Sequence, residues 1–319
     1  MDKTKRLTTN ETAQWLGERD DFLILTHRRP DGDTLGSGAG LCAALREIGK
    51  RAYLLENPET TIRYVEYVAE YLALADFVPQ TVVTVDTADV GILQINAGAH
   101  AQRIDLCIDH HVSNSGYGAY TCLEDHASCG EVTYDVIAAL TGSVSATTAL
   151  PLYVAVSTDT GCFSYANVTA HTLRVASELV GTGIDHGAVN KKLFRTKSKA
   201  RIALDGAIFS SLQYFAEGRI AVVVLTQALM TACGVTEDDL DDVPSIPSQI
   251  AGVQIGVLVK ELSGGACKAS VRTAPQVNAN LICQQFGGGG HAMAAGCQIE
   301  VQPEEAVRLL VAAAEDALG

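Results

Sequence analysis

Residues 22–50 read FLILTHRRPDGDTLGSGAGLCAALREIGK. The first part, FLILTH (22–27), is an apolar run of the length that forms a buried strand, and residues 34–50 have the spacing of an amphipathic helix. A polar turn with glycine separates the two. A buried strand that leads through such a turn into a helix is typical of an α/β domain.

Similar apolar runs recur along the first half of the chain. They are rich in β-branched residues and read TVVTVD (81–86), RIDLCID (103–109) and LYVAVSTD (152–159), with helical patterns such as CGEVTYDVIAALTG (129–142) between them. Continuous apolar strands that alternate with helices indicate a parallel sheet covered on both faces. The sequence therefore predicts an α/β fold that begins with a parallel-sheet domain.

The last third of the chain has its own set of predicted elements. Three strands are expected in GRIAVVVLTQ (218–227), GVQIGVLVKEL (252–262) and GACKASVRT (265–273), and a helix is expected over 303–318. A chain of 319 residues fits two domains of typical size better than one. We expect a catalytic domain over 1–186, a helical linker over 187–214 and a smaller α/β domain over 215–319, with a cleft between the domains.

The charge balance limits the classes of function. The chain carries 23 Lys+Arg against 37 Asp+Glu, a formal net charge of −14, which argues against a protein that coats DNA or RNA. Residues 191–201 are nevertheless basic and contain no acid, so this part of the linker is either a solvated helix or an edge that faces phosphate. The acidic run EDDLDD (237–242) is expected at the solvent-exposed surface.

The cysteines and the hydropathy indicate the compartment. Nine cysteines occur without any CxxC pair, which fits neither a zinc knuckle nor a disulfide framework. No apolar run approaches the roughly 18 residues that span a bilayer, and residues 1–20 lack the apolar core of a signal peptide. We expect a cytoplasmic protein without membrane association.

Polar side chains follow each apolar run of the first domain. Because the carboxyl ends of parallel strands lie on one rim of a sheet, these carboxylates and imidazoles should meet in one crevice. Carboxylates crowded there need a countercharge, and a set of oxygen ligands with imidazoles and no thiolate suits Mn²⁺ or Mg²⁺. A single aspartate after a strand can also be only a helix cap. The residues concerned are His27, Asp31, Asp33, Asp86, Asp109, His110, His111 and Asp159.

These segments resemble a known family. THRRPDGDTLGS, VDTAD, DHHVSN and STDTGCFSYAN are similar to the four ordered motifs of the DHH phosphoesterase superfamily, and CKASVRT with FGGGGHAMAAGC resembles the GGGH-type DHH-associated C-terminal domain. The resemblance covers nearly the whole chain. In size and layout it is nearest to the bacterial oligoribonuclease (nanoRNase) and 3′-phosphoadenosine-5′-phosphate (pAp) phosphatase group.

The resemblance implies two Mn²⁺ ions, with Mg²⁺ as an alternative. It implies that His111 is catalytic, as a hydrogen-bond donor or proton source at the scissile phosphate, and that Asp109 orients this corner of the site. One ion would be held by His27, Asp31 and Asp86, and the other by Asp33, Asp86, His110 and Asp159. The substrate-binding residues implied in the second domain are Arg272, Gly288, Gly289, Gly290 and His291.

The activity implied is hydrolysis of short RNA or DNA oligonucleotides, linear dinucleotides or pAp by a hydroxide that two metal ions activate. A cyclic-di-AMP phosphodiesterase is the alternative within the same class, whereas the GGGH loop argues against a manganese pyrophosphatase. A nucleotide-sensing module without catalysis is opposed by the intact carboxylates of all four motifs. A metal-stabilised structural domain would not need Arg272 and His291. A homodimer is compatible with the resemblance.

Overall fold

The computed structural model describes residues 4–240 and 242–319. The chain divides into two compact units, one that ends at Thr196 and one that runs from Lys197 to Gly319. The division falls inside the segment predicted as a linker. Each unit has its own sheet and its own apolar core.

The first unit is built on a six-stranded sheet in which every neighbouring pair is parallel. The strand order is β1-β6-β5-β4-β2-β3. The central strands β2, β4 and β5 are fully buried, which agrees with their unbroken apolar sequences. The strands are β1 (Lys5–Arg6), β2 (Phe22–Leu25), β3 (Ala52–Leu54), β4 (Thr81–Val85), β5 (Leu106–Asp109) and β6 (Tyr120–Leu123).

Helices pack against this sheet and against one another. The helices are α1 (Thr9–Gly17), α2 (Gly32–Glu47), α3 (Val65–Val68), α4 (Cys129–Thr141), α5 (Ala146–Asp159), α6 (Ala170–Gly181) and α7 (His186–Asn190). Helix α2 is buried from Gly32 to Leu45, and its small residues bring it close to α5. The predicted parallel α/β domain is thereby confirmed.

One predicted strand of this domain is wrong. LYVAVSTD (152–159) is the second half of α5 and not a strand. The helix begins after Ser145, whose side chain accepts a hydrogen bond from the Thr148 N–H, and residues Leu152 to Ser157 are buried. A helix that is apolar all round reads like a buried strand, so periodicity does not separate the two. Asp159 therefore lies at the end of a helix and not of a strand.

The second unit contains a mixed sheet of order β11-β12-β10-β9-β8-β7, in which only β8 and β9 pair in parallel. Helix α8 packs through Leu204 and Ile208 on this sheet. The predicted smaller α/β domain is confirmed. Its elements are α8 (Lys199–Ser211), β7 (Gln213–Phe215), β8 (Ile220–Leu225), α9 (Gln227–Cys233), β9 (Ile255–Glu261), β10 (Cys267–Thr273), α10 (Ala279–Gln284), β11 (Gly289–Gly290), β12 (Ala294–Ile299) and α11 (Pro303–Leu318).

Part of the basic segment 191–201 is paired with acids. Asp205 accepts hydrogen bonds from Lys197 Nζ and Arg201 Nε, each at 2.7 Å. Arg201 is buried and also binds Asp242, a member of the acidic run 237–242. Asp241 of that run lies outside the described residues. These pairs use two of the cations that the sequence left open for phosphate.

Within residues 4–240 and 242–319, no helix combines the length and the apolar character that a membrane span requires.

Candidate metal centre

The turn between β2 and α2 places His27, Asp31 and Asp33 together. Asp31 caps α2, and its Oδ1 atom accepts hydrogen bonds from the N–H groups of Asp33 (3.0 Å) and Thr34 (3.1 Å). This cap fixes the start of the helix and so the direction of Asp33 in its first turn. His27 Nε2 lies 3.7 Å from Asp31 Oδ1.

Asp33 is held by the start of a second helix. Its Oδ2 accepts from the Cys129 N–H (2.7 Å) and its Oδ1 from the Gly130 N–H (2.8 Å), both in the first turn of α4. The N–H groups in the first turn of a helix have no acceptor within the helix, and they favour a negative charge beside them. Burial nevertheless raises the pKa of Asp33 well above its usual range, and the nearby charges of Asp86 and Asp159 add to this effect.

Asp86 follows β4 and lies between two histidines. Its Oδ2 is 3.4 Å from His27 Nε2, and its Oδ1 is 3.4 Å from His110 Nε2. The residue has a left-handed backbone with φ of 53°, which non-glycine residues seldom adopt apart from Asp and Asn. The buried Oδ1 atom has no hydrogen-bond partner among the described residues. A buried carboxylate oxygen that lacks a hydrogen-bond donor, within a cluster of polar side chains, is suited to bind a cation.

Asp109 and the two histidines after it form the end of β5. Asp109 is fully buried and accepts from the His110 N–H (2.9 Å), from His111 Nδ1 (2.8 Å) and from Asn114 Nδ2 (2.6 Å). Burial opposes the charge of Asp109, but His111 and Asn114 outweigh it and lower the pKa of this carboxyl. The same hydrogen bond raises the pKa of His111. Asp109 thus orients His111 and favours its charged form.

Two of the histidines present the ring nitrogen that a metal needs. His27 Nδ1 lies 2.8 Å from the Arg28 carbonyl and His110 Nδ1 lies 3.1 Å from the His126 carbonyl. A carbonyl can only accept, so Nδ1 donates in each case and Nε2 is left to face the carboxylates. A histidine that ligates a metal is commonly oriented by a hydrogen bond of this kind.

The electrostatics of the cluster favour added positive charge. Burial opposes the imidazolium forms, but neighbouring carboxylates outweigh it and raise the pKa of His27 to about 11 and that of His110 to about 10. Burial, together with Asp86, raises the pKa of Asp159 to about 6. Carboxylates so close together repel one another when they are charged, and bound protons or divalent ions remove this repulsion.

Three overlapping groups have ligand atoms within 4.8 Å of one another: His27 with Asp31 and Asp86, Asp33 with His110 and Asp159, and Asp86 with His110 and His111. His110 Nε2 lies 3.7 Å from Asp33 Oδ2 and 3.8 Å from Asp159 Oδ2. These separations exceed hydrogen-bond lengths and suit ligands of a common cation. The residues present therefore fit two neighbouring divalent ions, with Asp86 in contact with both groups.

The residues predicted in the second unit lie on or beside β10 and β11, the two strands that flank β12. Arg272, near the end of β10, and Gly289 and Gly290, which form β11, lie on opposite sides of β12. Gly288 packs so closely on β12 that a Cβ atom there would lie 2.3 Å from the Gly296 carbonyl oxygen. His291 is exposed. Within the described residues, no carboxylate pairs with the half-buried Arg272 guanidinium.

Sequence reasoning missed Asn114 as a site residue. Its side chain fixes the second oxygen of Asp109, while its backbone N–H donates to the His111 carbonyl at 3.0 Å. The signal was available, since Asn114 ends the motif DHHVSN. The backbone carbonyl of His126, which orients His110, carries no sequence signal.

Comparisons with known proteins give one consistent result. Residues 21–158 match the model of the DHH family N-terminal domain, and residues 220–319 match that of the DHHA1 domain. The bifunctional oligoribonuclease and PAP phosphatase NrnA of Thermus thermophilus is 31% identical over 281 residues, 87% of this chain and 83% of the relative. The protein of the same name from Bacillus subtilis is 26% identical, over 91% of this chain and 93% of the relative.

The fold has a close counterpart among solved structures. An exopolyphosphatase-related protein from Bacteroides fragilis superposes with a TM-score of 0.86 at 23% identity, and the match covers 97% of this chain and 95% of that protein. At this identity the likeness bears on the fold alone.

Proposed function

The chain is a phosphoesterase of the DHH family, and we propose from this premise that it hydrolyses short oligoribonucleotides and pAp with two Mn²⁺ ions. The substrates are those named for its relatives from Thermus thermophilus and Bacillus subtilis. The observation that carries the proposal is the position of Asp86. Its two carboxylate oxygens face His27 and His110 separately, so that one residue joins two ligand groups.

The choice of metal rests on the donor set. His27, Asp31 and Asp86 would hold one ion, and Asp33, Asp86, His110 and Asp159 would hold the other. Carboxylate oxygens predominate and no thiolate takes part, which suits Mn²⁺, with Mg²⁺ as the alternative. Bound there, the two ions would polarise the phosphoryl oxygens and activate the attacking water.

The chain itself supplies positioning and proton transfer. Asp109 holds His111 through Nδ1 at 2.8 Å, which leaves Nε2 of the half-exposed ring for the substrate. Because this contact raises the pKa of His111, the ring is charged over a wider pH range and can donate a proton to the leaving oxygen. His111 is thus the proposed catalytic acid, and Asp109 and Asn114 position it.

The second unit would supply the grip on the substrate. An arginine binds phosphate in a bidentate manner, and the side chain of Arg272 has no carboxylate to neutralise it among the described residues. Gly288, Gly289 and Gly290 would let a nucleotide approach the backbone near it, and the ring of His291 would stack on the nucleotide or form a hydrogen bond with it. A grip on one nucleotide would favour short substrates, which also suits a net charge of −14. The nine cysteines, all free, support a reducing compartment, which we propose is the cytoplasm.

The direct test is a substrate panel. The purified full-length protein, stripped of metal and supplied with Mn²⁺, is assayed on pAp, linear diribonucleotides, cyclic-di-AMP and RNA oligomers of increasing length. We expect turnover of pAp and diribonucleotides, with kcat/KM falling as RNA length grows. Faster hydrolysis of cyclic-di-AMP than of either would assign the alternative activity. Turnover independent of length would contradict the proposed grip. The same assay with Mg²⁺ tests the choice of metal.

A further inference from the structure

A second cluster of metal-binding side chains lies outside the site described above. His126 precedes α4, Asp135 lies within α4, and His171 lies in the first turn of α6. The Nε2 atoms of His126 and His171 are 3.1 Å and 3.2 Å from the same oxygen, Asp135 Oδ2. The two rings stack with centroids 4.4 Å apart. Three separate elements therefore bring two imidazoles and one carboxylate close together.

The hydrogen bonds of the cluster are incomplete. His126 Nε2 bonds to Asp135, but the buried His171 Nε2 atom has no hydrogen-bond partner among the described residues, although Asp135 Oδ2 is near. A buried imidazole nitrogen is normally satisfied. Asp135 Oδ2 thus forms a hydrogen bond with His126 and not with His171. A cation placed among the three atoms would bind both imidazole nitrogens.

From this geometry we propose that His126, Asp135 and His171 form a third metal site, of the kind that takes Zn²⁺. A tetrahedral zinc site with metal–ligand distances of about 2.0–2.1 Å has ligand atoms about 3.3–3.4 Å apart. The two nitrogen–oxygen separations are within a few tenths of an ångström of that edge. All three ligand atoms lie within 4.8 Å of one another. Water would complete the coordination, because about a quarter of each side chain is exposed.

The donor set separates this site from the first one. Two imidazoles and a single carboxylate favour Zn²⁺ and its neighbours in the first transition series, whereas the carboxylate-rich centre suits Mn²⁺ or Mg²⁺. Glu131, one turn before Asp135 on α4, lies close to both histidines, and its buried Oε2 has no hydrogen-bond partner among the described residues. Burial raises the pKa of this carboxyl, and a divalent ion nearby would favour its charged form.

One neighbour competes with the metal. The Arg174 Nη2 atom donates to His171 Nδ1 at 3.2 Å, which places the ring proton on Nε2. Metal binding through Nε2 requires the proton on Nδ1, so the Arg174 side chain must turn away. It is exposed and can do so at small cost. Replacing it with glutamine should therefore tighten the binding of Zn²⁺.

The site can be tested by counting zinc. Equilibrium dialysis of the full-length protein against Zn²⁺, followed by elemental analysis, is compared for the wild type, His171→Gln and His100→Gln. His100 lies in the same unit and in none of the metal-binding groups, so it is the matched control. We expect His171→Gln to bind one Zn²⁺ per chain fewer than the wild type, and His100→Gln to bind the same number.

Further measurements separate the loss of a zinc ligand from misfolding of the variant. Circular dichroism establishes that each variant is folded, and Asp135→Asn replaces His171→Gln if the latter is not. Zn²⁺ should raise the Tm of the wild type by more than that of His171→Gln. Equal zinc counts in the wild type and both folded variants would overturn the proposal, as would an equal loss in His100→Gln. Hydrolysis is not measured, so failure here leaves the proposed phosphoesterase activity unaffected.

Discussion

Asp86 Oδ1 lies 3.4 Å from His110 Nε2, while the other oxygen of the same carboxylate lies 3.4 Å from His27. Asp86 reaches both histidines because its backbone turns into the left-handed region directly after β4. Its N–H donates to the Ile108 carbonyl at 3.0 Å, which ties it to β5 and to the histidines that follow. One aspartate therefore joins the turn after β2 to the end of β5.

His111→Gln should lower kcat and leave metal binding unchanged. The proposal uses this ring as a proton donor and not as a ligand, and loss of such a group costs about 10²–10⁴-fold in rate. The measurements are kcat on pAp and the number of Mn²⁺ ions bound at equilibrium, with His100→Gln as control. His111 Nδ1 lies 3.6 Å from Asp86 Oδ1, so a lost Mn²⁺ ion would instead make His111 a ligand.

Arg272→Ala should raise the KM for pAp and for diribonucleotides while leaving hydrolysis of a simple aryl phosphodiester near the wild-type rate. A charged hydrogen bond contributes about 1.5–3 kcal/mol, which corresponds to a change of roughly ten- to a hundredfold. Lys268→Ala on the same strand is the control, because that side chain is exposed four residues earlier. Equal losses on both kinds of substrate would remove Arg272 from substrate recognition.

Gly36→Ala should destabilise the protein, since a Cβ atom there would lie 2.3 Å from the Pro151 carbonyl oxygen and 2.8 Å from the Ala155 nitrogen of α5. Overpacking of this kind costs about 1–3 kcal/mol. Gly206→Ala is the matched variant: it also lies inside a helix, with nothing within 4 Å, and should gain about 0.5–1 kcal/mol. Urea unfolding measures both. A stable Gly36→Ala protein would show that α2 and α5 are less closely packed.

Much of the fold could be predicted because hydrophobic patterns in the sequence indicate the buried strands and helices. The buried strands around FLIL and TVVTV and the helix over 303–318 have local signals. The segment LYVAVSTD has no local signal that separates a helix from a strand. Its side chains are apolar on every face, so the pattern fits either element equally well. Asp159 is nonetheless beside His110, because the end of α5 lies near the ends of β4 and β5.

The second histidine cluster had no sequence signal at all. His126, Asp135 and His171 match no common ligand spacing, and the packing of α4 and α6 brings His171 to the other two. The pairing of Lys197 and Arg201 with Asp205 likewise needed the structure, since composition could not separate a paired cation from a phosphate ligand. Tertiary contacts decide which partners such side chains have.

The most direct test of the two-metal account is the Mn²⁺-dependent turnover of pAp by Asp86→Asn. Asparagine tolerates the left-handed backbone of this position and keeps the shape of the side chain, so the fold should persist. The exposed Asp76→Asn is the control. Loss of a ligand common to both ions should remove several kcal/mol of transition-state stabilisation, about 10³-fold or more in kcat. A folded Asp86→Asn protein with the turnover of Asp76→Asn would contradict the account.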